Sequence, residues 1–404
     1  MQIQYVMAAL RKHRLVTLLI VLQISLSFGV LCNATFLIMQ RVEAMRIDSG
    51  IDESSLALVK VAGYEQHQAP DLNARIVAAL HGVAGVQNVS VISAVPFGGG
   101  GLRAGVHLDP EQKQFAGVID FYLGDTAAVE SLGLRLTAGR LPSKDEYTPI
   151  AQLFPASPPI LITRKLAEKF WPGEDPLGKQ FWVLETVFRV VGVIEHLSTV
   201  YPTISADEDP DWAVFVPTSN GEGLDGKYLI RGNPHDMARI LDDAKKIVQK
   251  TVPNLILDIE ASRSLEDLRG AFFEKSRIML GLLLSLIIGL LGTTALGIIG
   301  LADFWVSQRA KQIGIRRALG ATKGDILSYF QIENFIIVTS GIVLGMLVSY
   351  EMNLGLMKFY ELPKLPLMYF PVGAIVLWIL GQLAVLAPAL SASGISPMSA
   401  IKSA

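Results

Sequence analysis

The sequence is short of charge and nearly without cysteine. Charged residues make up 18% of the 404 positions, against about 25% in an ordinary soluble domain. That excludes a wholly soluble chain. The formal net charge is −2, so the basic footprint that bulk nucleic-acid binding needs is missing. The single cysteine, Cys32, cannot form an internal disulfide or a cysteine metal cluster. Gly29-Val30-Leu31 before it lacks the small residue that a lipoprotein signal places there, so Cys32 reads as a buried thiol in a membrane helix. The six histidines (His13, His67, His81, His107, His196 and His235) show no metal-ligand spacing with one another or with Cys32. No G-x-S-x-G elbow occurs. The adjacent acid–imidazole pair Glu195-His196 reads as a satisfied surface pair.

What the chain does have is apolar length. Hydrophobic residues make up 51% of it, and a helix needs about 20 apolar residues to cross a bilayer core. Four uncharged runs are candidates: Leu15–Met39, Ile278–Ala302, Asn334–Tyr350 and Phe370–Ala392. The third is short enough to fit a buried soluble helix as well. The first follows Arg11, Lys12 and Arg14, as a signal peptide would. Its 25 uncharged residues are long for a signal core and no clear A-x-A site follows, so it reads as an uncleaved anchor.

Positive charge sets the orientation. Arg11, Lys12 and Arg14 precede the first run, and Arg309, Lys311, Arg316, Arg317 and Lys323 lie between the second and third. Residues 1–14, the connection 303–333 and the tail 393–404 are therefore expected in the cytoplasm, with 40–277 and the short loop 351–369 outside. The segment 40–277 holds 24 basic and 32 acidic residues, and a long acidic domain translocates without breaking the rule.

That segment reads as mixed α/β. Strands are expected at Ser55–Val61, Val86–Val95, Gly117–Leu123, Pro159–Ile162, Val187–Ile194, Trp212–Val216 and Tyr228–Arg231. Helices are expected at Asp71–His81 and at Pro234–Thr251, the latter capped by Asn233. Ser264–Arg277 reads as a helix running without a break into the second span. Gly98–Gly101 reads as a flexible surface loop, because Arg103–Leu108 after it looks extended and not helical. The run from Gly173 to Lys179 fits the first part of a phosphate-binding loop, but Gln180 stands where the Mg²⁺-binding hydroxyl belongs and Phe181-Trp182-Val183 looks like a strand. It reads as a turn. The acids Asp207, Glu208, Asp209 and Asp211 read as a solvated loop.

The most informative stretch is Gln308–Tyr329. Ile315, Ala318, Leu319, Thr322, Ile326 and Tyr329 recur at helical spacing, with the cations on other faces. Gly320 is placed to end a short amphipathic helix, and Thr322 with Asp325 to cap the next. Periodicity alone leaves two readings open: a strut held by anionic lipid, or a helix docking into a groove on a soluble partner.

Ile313–Leu327 (IGIRRALGATKGDIL) resembles the signature of FtsX-like permeases, and of the MacB-type ABC transporter membrane subunit in particular. Gly133–Arg140, Ala167–Gly178 and Phe188–Ile194 resemble, in that order, the core domain of the same type, and Ser396–Lys402 is weakly similar to its tail. The resemblance implies an α+β membrane protein. It would have four transmembrane helices and a large mixed α/β periplasmic domain between the first two, with a porter-like part and an inserted part at about 115–225. It implies no chemistry and no cofactor on this chain. ATP and Mg²⁺ would sit on a cytoplasmic ABC ATPase dimer, met through Ile313, Ile315, Arg316, Arg317, Leu319 and Lys323. Further implied partners are a second permease chain, identical or paralogous, a periplasmic adaptor with an outer-membrane duct, and membrane lipids. Gln312 departs from the glutamate often found there, which puts one charge contact in doubt. The chain starts about ten residues before its first span, which is similar to the arrangement with a separate ATPase. Efflux from a bacterial inner membrane is the expected role. Lipoprotein extraction, transmembrane signalling to a periplasmic partner and a receptor unrelated to ATP are the alternatives.

Overall fold

The computed structural model describes residues 14–150, 153–202, 209–360 and 363–394. Arg11, Lys12, His13, Asp207, Glu208, Glu361 and the tail 396–402 lie outside the described residues. The chain divides into two compact units, Met1–Val42 with Ser276–Ala404, and Glu43–Lys275. In chain order the elements begin with helix α1 (Arg14–Met45), strand β1 (Leu56–Ala62), α2 (Ala69–His81), β2 (Val86–Val91), β3 (Leu102–His107) and β4 (Phe115–Gly124). Next come α3 (Ala128–Leu132), β5 (Leu136–Gly139), β6 (Pro159–Thr163), α4 (Arg164–Phe170), β7 (Gln180–Val183), β8 (Thr186–Ile194) and β9 (Ala213–Pro217). The last are β10 (Lys227–Gly232), α5 (Met237–Thr251), β11 (Ile256–Leu257), α6 (Leu265–Phe272), α7 (Glu274–Ala318), α8 (Lys323–Tyr360) and α9 (Tyr369–Gly394).

The first unit is helical. α1, α7, α8 and α9 are each long and apolar enough to cross a membrane, and the protein is read as multi-pass. With no hydrophobic effect between helices in lipid, close contact and polar bonds hold such a bundle together. Gly341 and Gly345 of α8 sit against Ile24 and Phe28 of α1, the same four-residue step on both helices; a Cβ at Gly345 would meet the Phe28 side chain at 2.7 Å. Asn33 of α1 donates to the Ser349 hydroxyl of α8 at 3.1 Å, Ser27 bonds Thr294 of α7 at 2.8 Å, and Asn334 of α8 donates to the Gly381 carbonyl of α9 at 2.8 Å.

The second unit holds two sheets. β1, β2, β10 and β11 form an antiparallel sheet of order β11-β1-β10-β2, with α2 and α5 as the two crossovers. That is a β-α-β-β-α-β unit interrupted between β2 and β10. The interruption carries the second sheet, ordered β5-β8-β6-β9-β4-β3-β7, in which β7 also pairs with β8. Six of its strands thus close on themselves. β4 and β8 are not neighbours, yet Phe121 and Phe188 lie 5.4 Å apart, so they meet through the interior; Phe154 and Phe181 join them. The sheet draws on β3, ahead of the 115 expected for the insert. The Asn233 cap forms, its side chain accepting from His235 N at 3.0 Å, and a short 3₁₀ turn leads into α5.

Two expectations are corrected. α6 and α7 are not one helix: the chain turns at Phe273 (φ −91°, ψ 4°), which is buried against Phe97 with the half-buried Phe272 beside it. His196 does not pair with Glu195. Its ring bonds the buried Asp211 carboxylate on one side and the Asp48 carbonyl on the other, at 2.8 Å. Asp209, in the same acidic stretch, pairs with Lys165 at 3.2 Å. Arg269 holds the segment that follows α1, residues 46–53, as a strap from the α6 side, donating to the Met45 and Ile47 carbonyls and to Glu53.

The Asp211 hydrogen bond raises the His196 pKa above its usual value near 6.5. The imidazolium is then favoured by folding. Its contribution is fully present below about pH 6.5 and is lost as pH rises through the raised value. The full chain should lose thermal stability from mildly acidic to alkaline pH, and His196→Gln should flatten that loss. Equal pH profiles for the two chains would refute the clasp.

Candidate functional site

No Pro or Gly pair interrupts the chain just after Ala302, so α7 continues beyond its apolar stretch to Ala318, about 24 Å further at 1.5 Å per residue. Among the described residues no separate short amphipathic helix lies between α7 and α8. α7 and α8 meet directly in a tight elbow. Gly320 N–H donates to the Arg317 carbonyl and Ala321 N–H to the Arg316 carbonyl, each at 3.1 Å, the paired bonds of a Schellman end. This needs a left-handed residue, and Gly320 has φ +101°. Thr322 and Asp325 then cap α8 reciprocally: Asp325 N–H donates to Thr322 Oγ1 at 3.2 Å, and Thr322 N–H to Asp325 Oδ2 at 2.8 Å.

Behind the elbow the two helices are locked together. Arg309 of α7 makes two bonds to Glu333 of α8, at 2.9 and 3.0 Å, and the Glu333 side chain is 1% exposed. The Arg309 guanidinium lies 5.2 Å from the Trp305 ring, and that of Arg316 lies 5.2 Å from the Tyr329 ring. Ile313, Ile326 and Phe330 are buried in the same cluster.

The expected contact residues separate into two sets. Ile315 and Leu319 point outward, 50% and 84% exposed. Lys323 is exposed at the start of α8, and Arg316 is exposed along Tyr329. Ile313 is 5% exposed and supports the helix from inside; Arg317 is half-buried. Ile326 is also buried, so the apolar positions from Ile315 to Tyr329 do not make one face: the turn at Gly320 divides them between two helices. Sequence reasoning missed the Arg309–Glu333 pair. A signal was present: the two stand at equal sequence distance on either side of Ala321, as partners across a helical hairpin must.

Among the described residues no group of three or more His, Cys, Asp or Glu could hold a metal. The loop that imitates a phosphate-binding turn leads into β7, a strand, and Lys179 is ion-paired with Glu174.

Removing one member of a buried ion pair costs about 3–5 kcal/mol, whereas replacing both by apolar groups is near neutral. Glu333→Ala should destabilise the chain by about that amount in detergent melts, and Arg309→Met with Glu333→Met should restore most of it. A single variant as stable as wild type would show that the pair does not hold the elbow.

Two family models match this chain. Residues 17–249 match the model of the MacB-like periplasmic core domain, and residues 278–399 that of the FtsX-like permease C-terminal domain. The macrolide export ATP-binding/permease protein MacB of Neisseria meningitidis is 25% identical over 230 residues, 55% of this chain and 33% of that protein. An uncharacterized ABC transporter permease, YknZ, of Bacillus subtilis is 23% identical over 201 residues, 47% of each chain. The matches thus span between a third and a half of these relatives' length. Of solved structures, the periplasmic region of MacB from Actinobacillus actinomycetemcomitans aligns with 57% of this chain and 97% of its own, at 14% identity and a TM-score of 0.34. The core-domain match alone takes in more than half of the chain, and the protein belongs to the family of FtsX-like permeases with a MacB-like periplasmic core domain.

Proposed function

We propose that this permease takes up motion from an ATPase on a separate chain at the α7–α8 elbow and passes it to the periplasmic-type domain as a conformational change, in the service of efflux from a bacterial inner membrane. The observation that carries the reading is the elbow: an apolar tip, Ile315 and Leu319, exposed on a hairpin whose helices are clamped by a buried ion pair. A tip on a rigid lever transmits displacement; a tip on a loose one absorbs it. α1 and α7 continue along the chain into the outer unit's sequence, so a shift of either helix reaches residues 43–275 by covalent connection. The chain itself performs no chemistry and holds no cofactor in this reading. Two permease chains and an ATPase pair make the working unit.

Burial of a leucine contributes about 1.5–3 kcal/mol, an exposed ion pair only about 0–1. Leu319→Asp should therefore weaken ATPase association by about one to two orders of magnitude, and Arg316→Ala much less. Co-purification of the ATPase and its substrate-stimulated turnover measure this. Full assembly and coupling in Leu319→Asp would sink the reading.

Both termini and the elbow face the cytoplasm in this reading. In a Cys32→Ser background, cysteine at Ser157 should react with an impermeant maleimide in intact spheroplasts, and cysteine at Ser307 should not. The opposite labelling would invert the orientation.

A further inference from the structure

We propose that His196 is a proton-dependent latch on the strap, residues 46–53, that joins α1 to β1. Both ring nitrogens face acceptors. Nδ1 meets the Asp211 carboxylate, and Nε2 meets the Asp48 carbonyl at 2.8 Å. A neutral imidazole carries one N–H and an imidazolium two, so only the imidazolium satisfies both neighbours. The strap packs directly on the ring: Gly50 has φ +77°, and a Cβ there would stand 2.6 Å from His196 Cδ2.

The two acceptors decide which bond is lost on deprotonation. The Asp211 side chain is 3% exposed, and its ion-pair partner among the described residues is His196. A carboxylate holds a hydrogen bond more strongly than a neutral carbonyl does, so the remaining proton stays on Nδ1. Nε2 then presents a lone pair to the Asp48 carbonyl oxygen, and that contact turns repulsive. Three acids surround the ring: Asp211 from the segment before β9, Asp48 from the strap, and the exposed Glu195 beside it in the chain. Asp209 and Arg269, which reach the same segments, are paired with Lys165 and Glu53. Ordinary carboxylates and guanidinium groups keep their charge near neutral pH, so the imidazole is the group here that changes it. Asp211 raises the pKa of the ring, so the latch is closed below about pH 6.5 and opens as pH rises through the raised value. On the alkaline side the strap keeps the Ser198 N–H bond to the Ser49 carbonyl at 3.0 Å and the Arg269 bonds to the Met45 and Ile47 carbonyls. It loosens around Asp48 while its start stays anchored. The consequence rests on the function proposed above: a strap that yields between α1 and β1 absorbs part of any displacement of α1, so coupling is tighter in mildly acidic surroundings.

The test is hydrogen–deuterium exchange of the full chain in mild detergent, read by mass spectrometry. Wild type and His196→Gln are compared at the same pH, so the intrinsic exchange rate cancels. At about pH 5.5 peptides covering residues 46–53 should exchange about tenfold more slowly in wild type, the effect of one charge-assisted hydrogen bond. At about pH 9 the two chains should agree, and a peptide from α5 should not differ at either pH. Asp211→Asn removes the charge but keeps an acceptor for the Leu197 N–H, which bonds Asp211 at 3.1 Å. It should move the step in strap exchange to lower pH. Equal exchange at about pH 5.5, a difference undiminished at about pH 9, or a step unmoved by Asp211→Asn would each overturn the latch. If Asp211→Asn does not fold, the comparison of wild type with His196→Gln decides. No ATPase enters these measurements, so failure of the latch is distinct from failure of the proposed function.

Discussion

Arg309 and Glu333 face each other where neither charge has water to return to, and the geometry of the elbow depends on that. Both side chains are nearly enclosed, at 14% and 1% exposed. Such a pair contributes little net stability compared with an apolar pair of the same volume. What it supplies is register. A slide of α7 along α8 by one turn would bury two charges without partners, a penalty of several kcal/mol that no apolar packing imposes. Trp305 and Tyr329 extend the lock on either side of the pair: the flat face of Trp305 covers Arg309, and that of Tyr329 carries Arg316. The Schellman end at Gly320 and the Thr322–Asp325 cap then fix where one helix stops and the next begins. These eight residues specify the elbow, and the exposed apolar pair at its tip, Ile315 and Leu319, is not among them.

The second unit solves a different problem. Its first sheet is interrupted after β2 by a second sheet of seven strands before β10 resumes. The insertion carries a ring of phenylalanines, Phe121, Phe154, Phe181 and Phe188, and its core is continuous with that of the first sheet: the ring shares one cluster with Val59, Ile76 and Ile230. The strap after α1 is held from two directions. Arg269 occupies carbonyls at Met45 and Ile47, one of them at the end of α1, where helix carbonyls lack intrahelical partners. His196 holds the Asp48 carbonyl from the inserted sheet's side, with Asp211 behind it. A displacement of the strap must break charge-assisted bonds on one side or carry both sides with it, which favours movement of the unit as a body.

Much of this was legible in the sequence, for physical reasons that differ by element. Four spans follow from the absence of charge over runs long enough to cross lipid. All seven expected strands exist within a few residues of their expected bounds, because each alternates or concentrates β-branched residues between turn residues. β5 and β11 were missed: Leu136–Gly139 is wholly exposed and Ile256–Leu257 is two residues long, so neither carries a burial pattern. Helix ends proved less legible. Nothing local stops α7 before Gly320, and nothing local breaks the chain at Phe273; tertiary packing of two adjacent phenylalanines decides that turn. In the candidate site the caps were readable, because Gly320, Thr322 and Asp325 act on their own backbone. The ion pair was not, because hydrophobicity and charge are counted along the chain, while Arg309 and Glu333 are partners only once the hairpin is folded.

The same geometry bears on the two readings that periodicity left open for Gln308–Tyr329. A strut held by lipid should turn its apolar residues toward the bilayer and its cations toward the headgroups. Ile313 and Ile326 do turn inward, but they are covered by the protein's own helices and need no lipid. Ile315 and Leu319 turn the other way, at the end of an arm that extends about 24 Å past the apolar run. A single exposed leucine is ordinary on any surface. Two apolar residues one helical turn apart, at the tip of a clamped hairpin and beyond the reach of the hydrocarbon, are better matched to a protein groove than to lipid. The cations divide accordingly: Arg316 lies back along Tyr329, and Lys323 stays at the exposed start of α8. The inward and outward faces of the elbow exist only once the hairpin is folded.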